Sequence, residues 1–343
     1  MIVPDFLIIL IISNLLILVF FSKIDEFFNI RDYSDGKRKF QKRPVTLLGG
    51  SILILNFLIY LSICTFGNEN FTYNFTQQSK EYFSLVFGSI LFYLFGLYDD
   101  KFKLKPNYKL IVSFILVTVF VLVDNKLIIS EINFSFVENK IELKNFSYFF
   151  TVLAFLLFMN ALNMFDGINL QSGFYCLLIF CLFIYKNIFF NLSLSIIIPL
   201  ILFLYLNLRN KIYLGESGIQ LLAFLISYIF IKSNNFQNFK FYADEIFVIM
   251  AIPGLDMFRL FISRLISGKH PFKPDTNHIH HLIAEYFSKL VTFLTILIFI
   301  ILSTLLYYFF QNKLNYIICY IIGYTIIITY LLKLKKKKIE KNH

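Results

Sequence analysis

Residues 82–123 read YFSLVFGSILFYLFGLYDDKFKLKPNYKLIVSFILVTVFVLV, two apolar runs (83–98 and 107–123) on either side of an aspartate pair and a short basic linker. An apolar run of about 20 residues can cross a bilayer as a helix, which satisfies its own backbone hydrogen bonds. Comparable runs lie outward from this stretch at 2–22, 45–66, 146–160, 170–185, 190–207, 217–232, 244–260, 289–310 and 315–332. The chain is 58% hydrophobic and 15% charged, with a mean hydropathy of +0.72. A soluble domain carries roughly a quarter charged residues. The reading is an all-α polytopic membrane protein of about eleven transmembrane helices, forming one integral membrane domain over 1–343.

The net charge of +11 invites a nucleic-acid reading, but the basic residues are not spread as such a surface needs. Loops 23–44, 99–109, 160–170, 208–216, 259–289 and 333–343 hold 24 of the 32 Lys and Arg, and the alternate loops hold 8. This bias predicts that the first set is cytoplasmic, with the N-terminus outside and the C-terminus inside. The basic run at 37–43 and Lys335-Lys336-Lys337-Lys338 are read first as topogenic anchors; the former would also attract anionic lipid headgroups. No basic leader or cleavage site precedes 2–22, so that run is expected to be a retained span. Cys64, Cys176, Cys181 and Cys319 lie in apolar runs without CxxC spacing and read as small core residues. The outer loop 127–144 alternates apolar and polar residues around Glu138-Asn139 and predicts a small hairpin.

Five polar clusters interrupt the apolar chain, and all fall on the predicted cytoplasmic side. Asp99-Asp100 could merely solvate a helix end. Paired carboxylates also suit a hard-oxygen Mg²⁺ site, or one metal ligand beside one base. Lys109 follows at the start of the next span, where it can fold back toward a phosphate. In NALNMFDGIN, Asn160 and Asn163 share a helical face at i,i+3 before Asp166-Gly167 breaks the helix and Asn169 follows. Amides supply both donors and acceptors for a base, a sugar or a metal shell. In LGESG at 214–218, the glycines could let backbone N–H groups approach a phosphate, and Glu216 could bind a metal. The segment 253–281 brings Asp256, Arg259, Arg264, Lys269, Lys273, His278, His280 and His281 together. A Zn²⁺ site is the obvious rival there, but adjacent His280-His281 is poor ligand geometry. Phosphate and sugar recognition fits better.

Taken in order, RKFQKRPVTLLGG at 38–50, the DD pair, NxxNxxDG, the G-acid-x-G element and PFKPDTNHIHHL at 271–282 resemble the polyprenyl-phosphate N-acetylhexosamine-1-phosphate transferase family, of glycosyltransferase family 4 type. The resemblance spans nearly the whole chain, and its last element is similar to the branch using UDP-GlcNAc-like donors. It implies transfer of a sugar-1-phosphate from a UDP-sugar to undecaprenyl phosphate at the cytoplasmic face of the inner membrane, with release of UMP. It also implies Mg²⁺, with Mn²⁺ able to substitute. By this resemblance Asp99, Asp100 and Asp166 are catalytic, and Asn163, Glu216 and Asp100 hold the metal. Lys109, Asn160, Asn169, Asp256, Arg264, His278, His280 and His281 contact substrates. The partners implied are the UDP-sugar, the polyprenyl lipid and the membrane, with no nucleic acid; homodimerisation stays open.

Three positions depart from the family pattern: Glu216 where Asp is usual, Asn169 where a second Asp is usual, and Gln41 where His is usual. A transporter would show inverted repeats and ionisable residues near mid-span, yet none of the 21 Asp and Glu lies at a span centre. A CDP-alcohol or prenyl-type transferase would need a denser acidic pattern on facing helices. A transporter and a Mg²⁺-dependent lipid phosphotransferase with another donor remain the alternatives.

Overall fold

A computed structural model describes residues 5–33, 44–66, 79–236, 241–271 and 275–341. The basic run at 37–43, Gln41 and Lys273 lie outside the described residues. Each predicted span position holds a helix: α1 (Asp5–Val19) with α2 (Phe21–Phe28), α3 (Gly49–Phe66), α4 (Ser79–Phe102), α5 (Pro106–Val123), α6 (Ser147–Phe165), α7 (Gln171–Tyr185), α8 (Phe190–Leu208), α9 (Gly215–Phe236), α10 (Ala243–Ile266), α12 (Lys289–Phe309) and α13 (Lys313–Lys341). The short α11 (Ile279–Ala284) follows the histidine segment. Among the described residues nine helices are long and apolar enough to cross a membrane. The predicted first span instead breaks into α1 and α2, which meet at 73° and make a tenth if counted together. The remaining position belongs to α7, which has only 15 residues. The protein is an all-α, multi-pass membrane protein.

The predicted hairpin at 127–144 is present, with β3 (Glu131–Ile132) antiparallel to β4 (Ile141–Glu142). A second antiparallel pair joins β1 (Arg31–Asp32) to β2 (Val45–Thr46). Thr46 then accepts a hydrogen bond from the Tyr213 N–H at 2.8 Å, tying the first loop to the segment before α9.

Helix α9 is the axis of the bundle. Its sequence, GESGIQLLAFLISYIFIKSNNF, sets Gln220, Ser227 and Lys232 among apolar residues, and such a helix is covered by other helices rather than by lipid. It is 94% buried, against 17% for α13. Helices α3, α4, α6 and α7 pack around it, α4 most extensively. Phe92 of α4 stacks on Phe224 of α9 with ring centroids 5.0 Å apart. Gly96 lies directly on the backbone of Glu216 and Ser217, where small residues let membrane helices approach.

Helices α4 and α9 run antiparallel and are joined at both ends. At the end away from the DD pair, Lys232 Nζ lies 2.8 Å from Asp124 and 3.8 Å from Glu81, all three side chains at most 2% exposed. Ser84 donates to Asp124 at 2.5 Å, and the Tyr228 hydroxyl donates to the Glu81 carbonyl at 3.1 Å. A buried ion group of this kind stabilises little over an apolar replacement, but removing one member strands a charge. Lys232→Met, which strands both carboxylates, should therefore cost about 3–5 kcal/mol, seen as a lower thermal midpoint in detergent. The triple variant Glu81→Gln/Asp124→Asn/Lys232→Met should recover most of that loss. Equal midpoints for wild type and the single variant would show that the triad does not hold these helices.

Candidate active site

Helix α4 ends at the aspartate pair because the chain must turn before Pro106. Asp99 Oδ1 accepts the Leu104 N–H at 2.7 Å, and Lys103 takes a left-handed conformation (φ 51°) in that turn. The Asp99 carboxylate ion-pairs with Lys109, from the first turns of α5. Lys109 Nζ also lies 2.8 Å from Glu216 Oε1. It does fold back, as the sequence predicts, and meets the two carboxylates.

Asp100 points elsewhere. Its Oδ1 accepts the Glu216 N–H at 2.8 Å and its Oδ2 the Ser217 N–H at 3.1 Å. The first N–H groups of a helix have no partner within it and carry partial positive charge, so a carboxylate is their natural cap. Gly215 is required at this junction: its φ is +73°, and a Cβ would stand 2.7 Å from Asp100 Oδ2. The sequence expectation that these N–H groups are open to a phosphate is thus corrected, because Asp100 occupies them. In this structure Asp100 caps α9 and also lines the cavity.

The NALNMFDGIN segment divides. Asn163 stands beside Glu216, whose Oε2 is buried without a hydrogen-bond partner. Asn160, one turn deeper, donates to the Leu156 carbonyl at 2.7 Å and does not line the cavity. One of its amide N–H groups is bonded within its own helix. Asp166 ends α6 and accepts the Ser172 hydroxyl. Asn169 donates to Asn210 Oδ1 at 2.6 Å and to the Asn207 carbonyl at 3.2 Å. Asn207 in turn accepts the Leu170 N–H and donates to the Ile212 carbonyl, both at 2.7 Å. These bonds stitch the loop after α6 to the segment before α9.

The result is a polar cavity of about 480 Å³ that gathers Asp99, Asp100, Lys109, Asn163, Asp166, Asn169 and Glu216. Its volume falls in the usual range for small-molecule sites. Arg31, Asp32, Tyr33, Lys103, Asn207, Tyr213 and Lys289 also line it and were not anticipated. Asn207 was the one with a sequence signal, a lone amide at the end of an apolar run.

The histidine segment forms the support behind this cavity rather than its lining. Asp256 of α10 accepts from Arg259 at 2.7 Å and pairs with His278 Nδ1 at 2.9 Å. It also takes the Ile279 N–H at 3.2 Å and the Tyr324 hydroxyl at 3.3 Å. Arg259 reaches on to the Asn277 carbonyl at 2.6 Å. Arg264 donates to Asp275 at 3.0 Å and to the Pro271 carbonyl at 2.6 Å. Among the described residues Asp256, Arg264 and the three histidines do not line the cavity, and Asp256, Arg264 and His278 take part in the bonds that build the loop. His280 makes the link: a Cβ on Gly167 would fall on its imidazole, so only glycine fits between that ring and the cavity.

The donors suit a hard divalent ion in type, with two carboxylates, an amide oxygen and one orphaned buried oxygen on Glu216. Among the described residues no group of three or more His, Cys, Asp or Glu converges on one point. The set that fits is Asp99, Glu216 and Asn163, around the place Lys109 now neutralises.

Residues 82–234 match the model of glycosyl transferase family 4. That segment carries the aspartate pair, Lys109, the NxxNxxDG element and Glu216. Over 259 residues the chain is 29% identical to an undecaprenyl-phosphate alpha-N-acetylglucosaminyl 1-phosphate transferase of Escherichia coli K12, covering 72% of this chain and 68% of that protein. The protein of the same name from Yersinia pestis is 28% identical over 233 residues, 64% of each chain. That from Haemophilus influenzae is 31% identical over 99 residues, 27% of this chain and 28% of the relative. These relatives agree with the family resemblance carried by the motifs.

Burial pushes the imidazoles of His280 and His281 down, His281 to about 4, with His278 and Lys335 adding to the effect on His281. An unfolded imidazole protonates near pH 6.5. Between these values the unfolded chain binds more protons, so stability falls as pH falls from about 6.5 to 4. His280→Gln/His281→Gln should flatten the drop in thermal midpoint between pH 7 and pH 5 in detergent. An unchanged slope would mean these rings are already solvated and titrating in the folded protein.

Proposed function

We propose that this protein transfers N-acetylglucosamine-1-phosphate from UDP-N-acetylglucosamine to undecaprenyl phosphate, releasing UMP, at the cytoplasmic face of the bacterial inner membrane. One observation carries the reading: helix α6 lines two sites of opposite character. Its last turn supplies Asn163 to the polar cavity, while residues from Phe150 to Ala161 line an apolar groove of about 580 Å³ shared with α9 and α10. A polar cavity and an apolar groove lined by the same helix suit an acceptor with a phosphate head and an isoprenoid tail. The names of the relatives support the donor and the acceptor, and the excess of Lys and Arg in alternate loops supports the cytoplasmic side.

The reaction is a phosphoryl transfer, so positioning and charge neutralisation supply most of the catalysis. Asp99, Glu216 and Asn163 would hold Mg²⁺, which would neutralise the donor pyrophosphate. Lys109, released from its carboxylates when the donor enters, pairs with a pyrophosphate oxygen. Asn169 and Tyr213 offer amide and aromatic contacts to the nucleotide end. Asp166 and Asp100 orient the attacking phosphate and the α9 N-terminus. A phosphate monoester has a second pKa near 6 and is mostly dianionic at about pH 7, so removal of its proton is not a required step.

Purified protein in detergent should form lipid-linked product from radiolabelled UDP-N-acetylglucosamine and undecaprenyl phosphate, and chelation of Mg²⁺ should stop it. Asp99→Asn and Glu216→Gln should each lose on the order of 100-fold in kcat, the scale of one preorganised electrostatic group. Absence of product from any UDP-sugar with folded protein would defeat the reading.

The groove makes a separate prediction. A Cβ on Gly254 would touch nothing within 4 Å, and the residue lines the groove, so a larger side chain there fills it without a clash. Gly254→Leu should displace about two methylenes of lipid, worth roughly tenfold in KM for undecaprenyl phosphate. KM for the nucleotide sugar should not move. A change confined to the donor would place the lipid elsewhere.

A further inference from the structure

The C-terminal helix α13 has 29 residues and is therefore about 43 Å long, well beyond the roughly 30 Å of bilayer hydrocarbon. Its last turns project past the membrane on the side of the polar cavity, and they carry the lysine run. Four consecutive lysines on a helix point about 100° apart, so they cannot all face lipid headgroups.

One stripe of α13 faces the protein along its whole length. Tyr316, Tyr320, Tyr324 and Ile328 are buried at four-residue steps. The same stripe continues to Leu331, Lys335 and Lys338, at steps of three or four. Lys335 donates to the Thr276 carbonyl and to Asn277 Oδ1, both at 3.1 Å, and pairs with Glu285 at 2.8 Å. Lys338 donates to the Glu285 carbonyl at 3.2 Å and lies over the Tyr286 ring, 5.3 Å from its centroid. Their neighbours behave as anchors would: Lys336 faces Glu340 at 4.0 Å on an exposed surface, and Lys337 is exposed with no such contact. Every contact of Lys335 and Lys338 falls on residues 276–286, the segment that carries the three histidines and presses His280 against Gly167 of the cavity wall.

We propose that Lys335, assisted by Lys338, is a positioning residue that holds the histidine loop against the cavity, so that the projecting end of α13 tunes donor binding rather than only fixing membrane orientation. The inference that donor binding is affected rests on the transferase reading above; the inference that the loop is held does not.

The test compares Lys335→Met, Lys335→Arg, Lys338→Met and Lys337→Met in the full-length protein in detergent. Lys337→Met removes the same charge from the same turn and serves as the anchor control. Hydrogen exchange of residues 275–286 should rise in Lys335→Met, rise less in Lys338→Met, and match wild type in Lys337→Met. In the transfer assay, KM for UDP-N-acetylglucosamine should rise roughly tenfold in Lys335→Met, the scale of one charge-assisted hydrogen bond, with kcat nearly unchanged. Lys335→Arg should restore both readouts. Exchange in Lys335→Met equal to wild type would overturn the proposal whether or not the chain transfers sugar phosphate. Increased exchange with no change in KM would confine α13 to a structural role and overturn the tuning of donor binding. If wild type shows no transfer, the transferase reading falls and the exchange comparison still decides whether Lys335 holds the loop.

Discussion

The capping of α9 by Asp100 is the contact on which the site depends. A helix that begins inside a membrane protein exposes N–H groups that neither lipid nor its own turns can satisfy. Asp100 takes two of them, and Gly215 gives it room. Once α4 is fixed to α9 in this way, the geometry of the neighbours follows. Asp99 precedes Asp100 by one residue, and Glu216 is the very residue whose N–H is bound. Lys109 needs only to reach back from α5 to find both carboxylates. The far ends of α4 and α9 are held by Lys232 between Asp124 and Glu81. Two ionic fastenings, separated by the apolar packing of Phe92 on Phe224, therefore fix the register of this helix pair.

The sequence was legible where a property is carried locally. Hydropathy placed a helix at every predicted position, because apolar length is a property of the segment itself. The alternation in 127–144 correctly announced a hairpin, and the polar clusters named seven of the residues that line the cavity. The losses have a common cause, which is that a side chain's partner is chosen across the fold. Asn160 and Asn163 share a face, but only Asn163 is high enough on α6 to meet Glu216, and Asn160 turns back to its own helix. Nothing in LGESG announces that its N–H groups are already taken, because the carboxylate that takes them lies more than a hundred residues earlier. The break between α1 and α2 was hidden because both halves are apolar enough to read as one run.

The histidine segment shows the same division between identity and orientation. Its residues are those expected at a phosphate and sugar site, yet most of their polar atoms are used within the loop. Asp256 alone receives Arg259, His278, the Ile279 N–H and Tyr324. A loop anchored at Asp256 in this way lets a group at its edge, here His280 behind Gly167, set the shape of a neighbouring cavity.

The distribution of charge in that cavity argues for how it is used. The floor gathers Asp99, Asp100, Asp166 and Glu216, and Lys109 pairs with two of them, Asp99 and Glu216. Lys103 and Lys289, both exposed, stand where solvent enters. Basic residues at the mouth raise the local concentration of an anion such as a nucleotide sugar. The floor would repel the same anion, because like charges at close range in a partly dehydrated site are costly. A pyrophosphate can reach it only if positive charge arrives with it or is released to it. Lys109 can supply one such charge by leaving its carboxylates, and the carboxylates it leaves then need another partner. An acidic floor under a basic mouth is thus poorly built for an anion alone and well built for an anion paired with a divalent cation, which is the form that the proposed donor would take.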